Sequence, residues 1–219
     1  TTIHLFKLKN FNLNKLSNIL RPREELSEQP IPVEKALIDN KKVMLRFEYV
    51  SPVLIVNTNY RLETRRKLQA SFAIIHTYSK LVEVRTRQRK IAKDVMSILA
   101  EHLDTEYETI SFTREHIRSW IEWASTLRNA RFKPIKSALS TVSLSAKTWY
   151  DLRDVKEFEN WWKKEEPIGG IYIKVEISKG RELGFGINAE YGKIMFKTFA
   201  SEEEIEHVIT KAEQILGLI

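Results

Sequence analysis

The sequence predicts an α+β fold: two antiparallel β-meander-plus-helix units joined by a helical middle block. Three observations predict it. Residues 43–86 carry a succession of strand signals before helical spacing begins at Ile91. All seven glycines lie at or beyond Gly169, where they punctuate a second strand series. Each series runs into one amphipathic segment, from Ile91 in the first case and from Ile205 in the second. The expected divisions are an N-terminal sheet-plus-helix unit with a basic surface at 1–112, the helical block at 113–166, and a C-terminal meander plus helix at 167–219.

In chain order, Ile3 to Leu8 reads as a short strand and Asn14–Leu20 as a short helix ended by Arg21-Pro22. Pro22, Pro30 and Pro32 mark an irregular connection, with a turn of helix expected at Val33–Ile38. Val43, Leu45, Phe47 and Tyr49 alternate with Met44, Arg46 and Glu48, the pattern of a half-buried strand. "VLIV" at 53–56 follows Ser51-Pro52 as a further strand, and 60–78 and 80–86 continue the series. A helix then buries Ile91, Val95, Ile98, Leu99 and Leu103. Thr113 is the expected N-cap of the next helix, with Glu115 in its first turn and Ile117, Trp120, Ile121, Ala124 and Leu127 on its apolar face. Residues 128–148 give no clear pattern. A short helix is expected over 154–164, capped by Asp154, with Val155, Phe158, Trp161 and Trp162 as apolar contacts. In the last unit Ile171, Ile173, Val175 and Ile177 share a strand face. Ser201 caps a closing helix that has Glu202, Glu203 and Glu204 in its first turn.

Two such units in one chain resemble, in topology alone, the saddle of TATA-box-binding-protein-like folds. No motif carries that likeness, and the paired intercalating phenylalanines of that family have no counterpart here.

The net charge of +7 is unevenly spread. Residues 61–93 hold ten basic side chains against Glu63 and Glu83, a local net of +8. Such asymmetry points to a polyanion-facing surface. The densest part is the junction "LVEVRTRQRKIAKDV" at 81–95, where a strand hands over to a helix. A helix N-terminus carries partial positive charge, so Arg87, Arg89 and Lys90 stand there against the dipole. The junction at Ser201 obeys the dipole rule in the same chain, so the fold does not demand the reversal. An anion held by those cations and free N–H groups would remove the conflict.

The expected function is therefore non-catalytic binding of DNA or RNA through backbone phosphates. The candidate contacts are Arg61, Arg65, Arg66, Lys67, Arg85, Arg87, Arg89, Lys90 and Lys93. A second basic segment adds Arg128, Arg131 and Lys133, with Phe132 interleaved as a stacking candidate. One alternative is a subunit of a larger complex whose basic face meets an acidic protein, in which edge strands and exposed tryptophans matter most. A second is a metal-dependent nuclease using Glu63 and Glu83, the acids inside the basic zone.

Several classes lose their sequence support. There is no cysteine, so thiolate metal sites and Cys nucleophiles are excluded. No phosphate-binding GxxxxGK[ST], dinucleotide GxGxxG or hydrolase GxSxG occurs. His4, His76, His102, His116 and His207 show no metal-ligand spacing, and His76 reads as a core histidine. No catalytic residue, metal or cofactor is expected. The opening "TTIHLFKLKN" has no apolar signal-peptide core and no run suits a membrane span, so the expectation is a cytoplasmic protein without a membrane partner.

Overall fold

The computed structural model describes residues 1–10, 12–39, 41–56, 58, 60–124, 126–132, 168–178 and 180–219; these form a mixed α+β arrangement of antiparallel strands and three α-helices. The chain divides into two compact units, one of Ile3–Thr109 and one of Ile110–Ile219 with Thr1–Thr2. The helix expected over 154–164, with Trp161 and Trp162, lies outside the described residues.

The first unit holds β1 (Thr2–Leu8), β2 (Ile31–Asp39), β3 (Lys42–Val56), β4 (Leu62–His76), β5 (Leu81–Arg85), α1 (Arg89–Leu103) and β6 (Tyr107–Thr109). The strands run in the order β2-β3-β4-β5-β1, and β6 pairs with the end of β1. The alternation read in the sequence sets the core. Val43, Leu45, Phe47 and Tyr49 of β3 meet Val82 and Val84 of β5 on one sheet face. Ile91, Ala92, Val95, Met96, Leu99 and Leu103 of α1 close over them, together with Leu16 and Ile19 from the short 3-10 helix Leu13–Asn18 and the residue that follows it.

Two expectations are corrected here. Val33–Ile38 is part of strand β2, not a turn of helix. A residue before proline is pushed towards extended geometry, Pro32 is tolerated on an edge strand, and pairing from Ile31↔Glu48 to Asp39↔Lys42 holds the segment extended. Ser51-Pro52 does not break the chain into two strands either. β3 is one strand of 15 residues that passes through Pro52, again where its outer edge has no neighbouring strand.

The second unit holds α2 (Arg114–Trp123), β7 (Thr126–Phe132), β8 (Ile168–Ser178), β9 (Arg181–Asn188), β10 (Lys193–Phe196) and α3 (Glu202–Ile215). Its strands run β10-β9-β8-β7. Leu127, expected on the α2 face, lies in β7 instead; α2 ends at Trp123 and buries Ile117 and Trp120. Trp120 is fully buried against Phe185 and Phe112, ring centroids 5.8 and 5.9 Å away, so it is a core residue. The concentration of glycine here has a local cause at Gly192. Its φ is +50°, and a Cβ at this position would sit 2.6 Å from the Ile110 carbonyl oxygen.

Candidate nucleic-acid interface

The site begins with the length of two strands. β3 and β4 pair over their full extent, from Lys42↔His76 to Val56↔Leu62. β2 covers β3 only as far as Glu48, and β5 covers β4 only over Phe72–Ile75. From the Val50↔Leu68 row outwards, neither strand pairs with a further strand among the described residues, and the pair continues as a two-stranded arm. All of Arg61–Leu68 is exposed.

Period-two alternation sorts the arm's side chains into two register faces. The face continuous with the α1-covered core carries Ser51, Val53 and Ile55 on β3, opposite Lys67, Arg65 and Glu63 on β4. Arg61 precedes β4 in the same phase. Val53 and Ile55 are half-buried, each beside a long cross-strand partner, Arg65 and Glu63. The opposite face carries Val50, Pro52, Leu54 and Val56 beside Leu68, Arg66, Thr64 and Leu62. Three of the arm's four cations thus share one face, and Arg66 stands on the other.

The base of the arm is anchored by charge. Glu48 is fully buried; its Oε1 accepts from Arg46 Nη2 at 2.7 Å and from Arg23 Nη2 at 3.1 Å. The sequence offered Arg46 and Glu48 only as the polar side of a strand. That Glu48 would be buried follows from the chain returning through Arg23, a contact no local pattern reveals.

α1 starts beside this base. A groove of about 400 Å³ is lined by Tyr49, Ser51 and Pro52 from β3 and by Gln88, Lys90 and Asp94 from the helix start. Gln88 is the N-cap residue, in extended conformation, and makes no side-chain cap bond; the first turn holds no acid. Ile91, Ala92 and Val95 turn to the core, so Arg89, Lys90 and Lys93 project into solvent, with Arg87 exposed just before them. Arg66, Lys67, Arg87, Lys90 and Lys93 form no ion pair among the described residues, and Arg65 meets Glu63 at 3.8 Å across exposed side chains. A pair that exposed and that long contributes little.

Arg85 is set apart from the others. It lies on the face away from α1, its side chain is only 15% exposed, and Nε and Nη2 both donate to Glu83 Oε2, at 3.2 and 3.1 Å. Glu83 Oε1 in turn lies 2.7 Å from His76 Nε2, so His76 is the satisfied core histidine the alternation suggests. This also separates the nuclease carboxylates. Glu83 is buried opposite Ile74, whereas Glu63 is eleven residues earlier on β4 near the arm's end, roughly 35 Å along the strand at ~3.3 Å per residue. One metal site cannot use both. Among the described residues no cluster of three or more His, Asp or Glu is placed to hold a metal ion.

Arg128 and Arg131 lie on strand β7 of the other unit, where only the backbone is described; Lys133 and the rest of the second basic segment lie outside the described residues. No helix among the described residues is long and apolar enough to cross a membrane. A scan against protein-family models gives no match, and a search of curated proteins gives none either.

Proposed function

We propose that the protein binds nucleic acid without catalysis, through backbone phosphates, using the cationic face of the arm together with the start of α1. The observation that carries this reading is the shared register face of Arg61, Arg65 and Lys67, which leads at its base into the groove beside Lys90. The exposed guanidinium and ammonium groups of Lys67, Arg87, Lys90 and Lys93, which form no ion pair among the described residues, are of the kind that exchanges counterions for phosphates. Arg87, Arg89 and Lys93 extend the surface; Arg66 stands on the other face of the arm and Arg85 is engaged by Glu83, so neither takes part. Phosphate contact without base readout leaves DNA and RNA as substrates on equal terms.

The test is the salt dependence of binding to duplex DNA, single-stranded DNA and RNA. Five to seven phosphate contacts give a slope of log K against log salt of roughly −4 to −6. Converting Arg61, Arg65 and Lys67 together to Glu should make the slope shallower by about 3 units and leave thermal stability nearly unchanged, because all three sites are exposed. No binding at low salt to any of the three nucleic acids would refute the proposal.

A further inference from the structure

We propose that the other face of the arm is the contact surface for a second copy of this chain. The proposal does not depend on nucleic-acid binding, because it concerns the register face that the phosphate contacts leave free.

Leu54, Val56, Leu62 and Leu68 on that face are 69%, 61%, 71% and 54% exposed. A folded chain gains nothing by holding four aliphatic side chains in water on one short ribbon, and contiguous exposed apolar patches mark contact sites. The charge distribution narrows the occupant. Arg66 is the face's single charge, so it offers a polyanion little. A lipid surface needs cations and apolar groups presented to the same side, yet Arg61, Arg65 and Lys67 point the opposite way.

A second copy fits the row order. From the base outwards the rows are Val50/Leu68, Pro52/Arg66, Leu54/Thr64 and Val56/Leu62. Two arms stacked face to face and antiparallel about a two-fold axis set Val50/Leu68 of one against Val56/Leu62 of the other. The same operation sets Pro52/Arg66 against Leu54/Thr64. Every apolar row meets an apolar row, and neither Arg66 faces its counterpart. The cationic faces end up outermost, where water screens them.

The area sets the strength. A buried aliphatic side chain removes on the order of 60–120 Å² from water, so eight such positions bury at most roughly 500–1,000 Å² over both copies. That is the lower edge of specific interfaces, which describes a dimer that forms and dissociates with concentration.

The experiment is sedimentation equilibrium of the whole chain, free of nucleic acid, over a wide concentration range at low and high salt. The expected result is a mass rising from the monomer value towards twice that value, at lower concentration in high salt, because salt screens the repulsion between the two cationic faces. Leu54→Glu and Leu62→Glu, each checked for an unchanged circular dichroism spectrum and melting temperature, should remain monomeric throughout. A wild type monomeric at every concentration and both salts overturns the proposal. So does a Leu62→Glu dimer as strong as wild type, which would place the contact on the arm's open edges. Flotation with anionic vesicles that Leu62→Glu abolishes, with the mass still monomeric, would give the face to lipid and equally overturn it. Since dimerisation and nucleic-acid binding respond to salt in opposite directions, loss of one result leaves the other standing.

Discussion

The starts of α1 and α3 solve the same problem in opposite ways. Both helices follow the last strand of a series, and both bury an amphipathic face. At α3, Ser201 Oγ accepts from the Glu204 N–H at 3.3 Å and Glu204 Oε2 accepts from the Ser201 N–H at 2.7 Å, a complete capping box. Glu202 and Glu203 add negative charge to the first turn, and Arg181 holds Glu204 Oε1 at 2.7 Å. At α1 there is no side-chain cap and no acid, and Arg87, Arg89 and Lys90 crowd the positive end of the dipole. α2 sides with α3: Thr113 and His116 form a capping box and Glu115 lies in the first turn. Among the described helices, two starts are therefore favourable and one is unfavourable. The difference teaches that this fold does not need cations at a helix start, and the proposed phosphate contact beside the arm is the reading that accounts for them.

The comparison is sharpened most by exchanging charge at both ends. Arg87→Glu with Arg89→Glu should weaken nucleic-acid binding on the order of tenfold per lost contact at low salt, with a salt slope shallower by about 2. The same change should stabilise the protein by about 0.5–2 kcal/mol, since two carboxylates replace two cations at a positive dipole end. The mirror experiment, Glu202→Lys with Glu203→Lys, should destabilise by a similar amount and leave affinity within error. Titrations and thermal melts of both pairs read the two quantities separately. If Arg87/Arg89 reversal stabilises the fold and leaves binding intact, the α1 start has no anionic partner.

The caps come next in size. Ser201→Ala removes the acceptor for the Glu204 N–H and should cost about 1 kcal/mol of stability by denaturant unfolding. Gln88→Asp, which supplies the cap that α1 lacks, should add about 0.5–1 kcal/mol. No gain from Gln88→Asp would mean that the Gln88 backbone cannot use a cap, and the contrast between the helices would then be one of geometry and not of charge.

Much of this contrast was legible in the sequence, because caps and first-turn charges are local. Thr113, Ser201, the glutamates and the basic run at 87–93 could be read directly. So could the α+β class and the alternation of β3, since both follow from apolar periodicity. The arm could not. Ser51-Pro52 reads as a break, and only the absence of a neighbouring strand beyond Glu48 lets β3 carry a proline without losing a ladder bond. The fate of Arg85 was equally hidden. It stands beside Arg87 among the candidate contacts, but β5 ends at Arg85, and Arg87 belongs to the connection into α1. The arginine instead meets a carboxylate that is buried because His76, on the paired strand, also needs it. Strand β2 was missed because pairing overrode a proline-marked local signal, and Leu127 because nothing in its periodicity announces that α2 stops at Trp123.

The smallest effect follows from acid. The Glu115 carboxylate is held below the ordinary carboxylate range, first by a hydrogen bond from its own backbone N–H and next by one from Thr113. A group whose pKa is depressed in the folded state adds stability above its unfolded pKa, and that contribution disappears as pH falls through the folded value. The α2 start should therefore loosen in acid. The α1 first turn has no carboxylate to protonate, so its amides should keep their protection over the same interval. Amide hydrogen exchange of residues 114–117 and 89–92, compared between neutral pH and the acid side of the carboxylate range, reads both starts in one sample. Each amide is corrected for its intrinsic rate. The exposure of Glu115 keeps the effect small, and Glu115→Gln should remove the α2 response while leaving α1 as it was. If the two starts lose protection in parallel, acid is loosening the molecule as a whole, and the charge contrast between them does not extend to how they respond to protons.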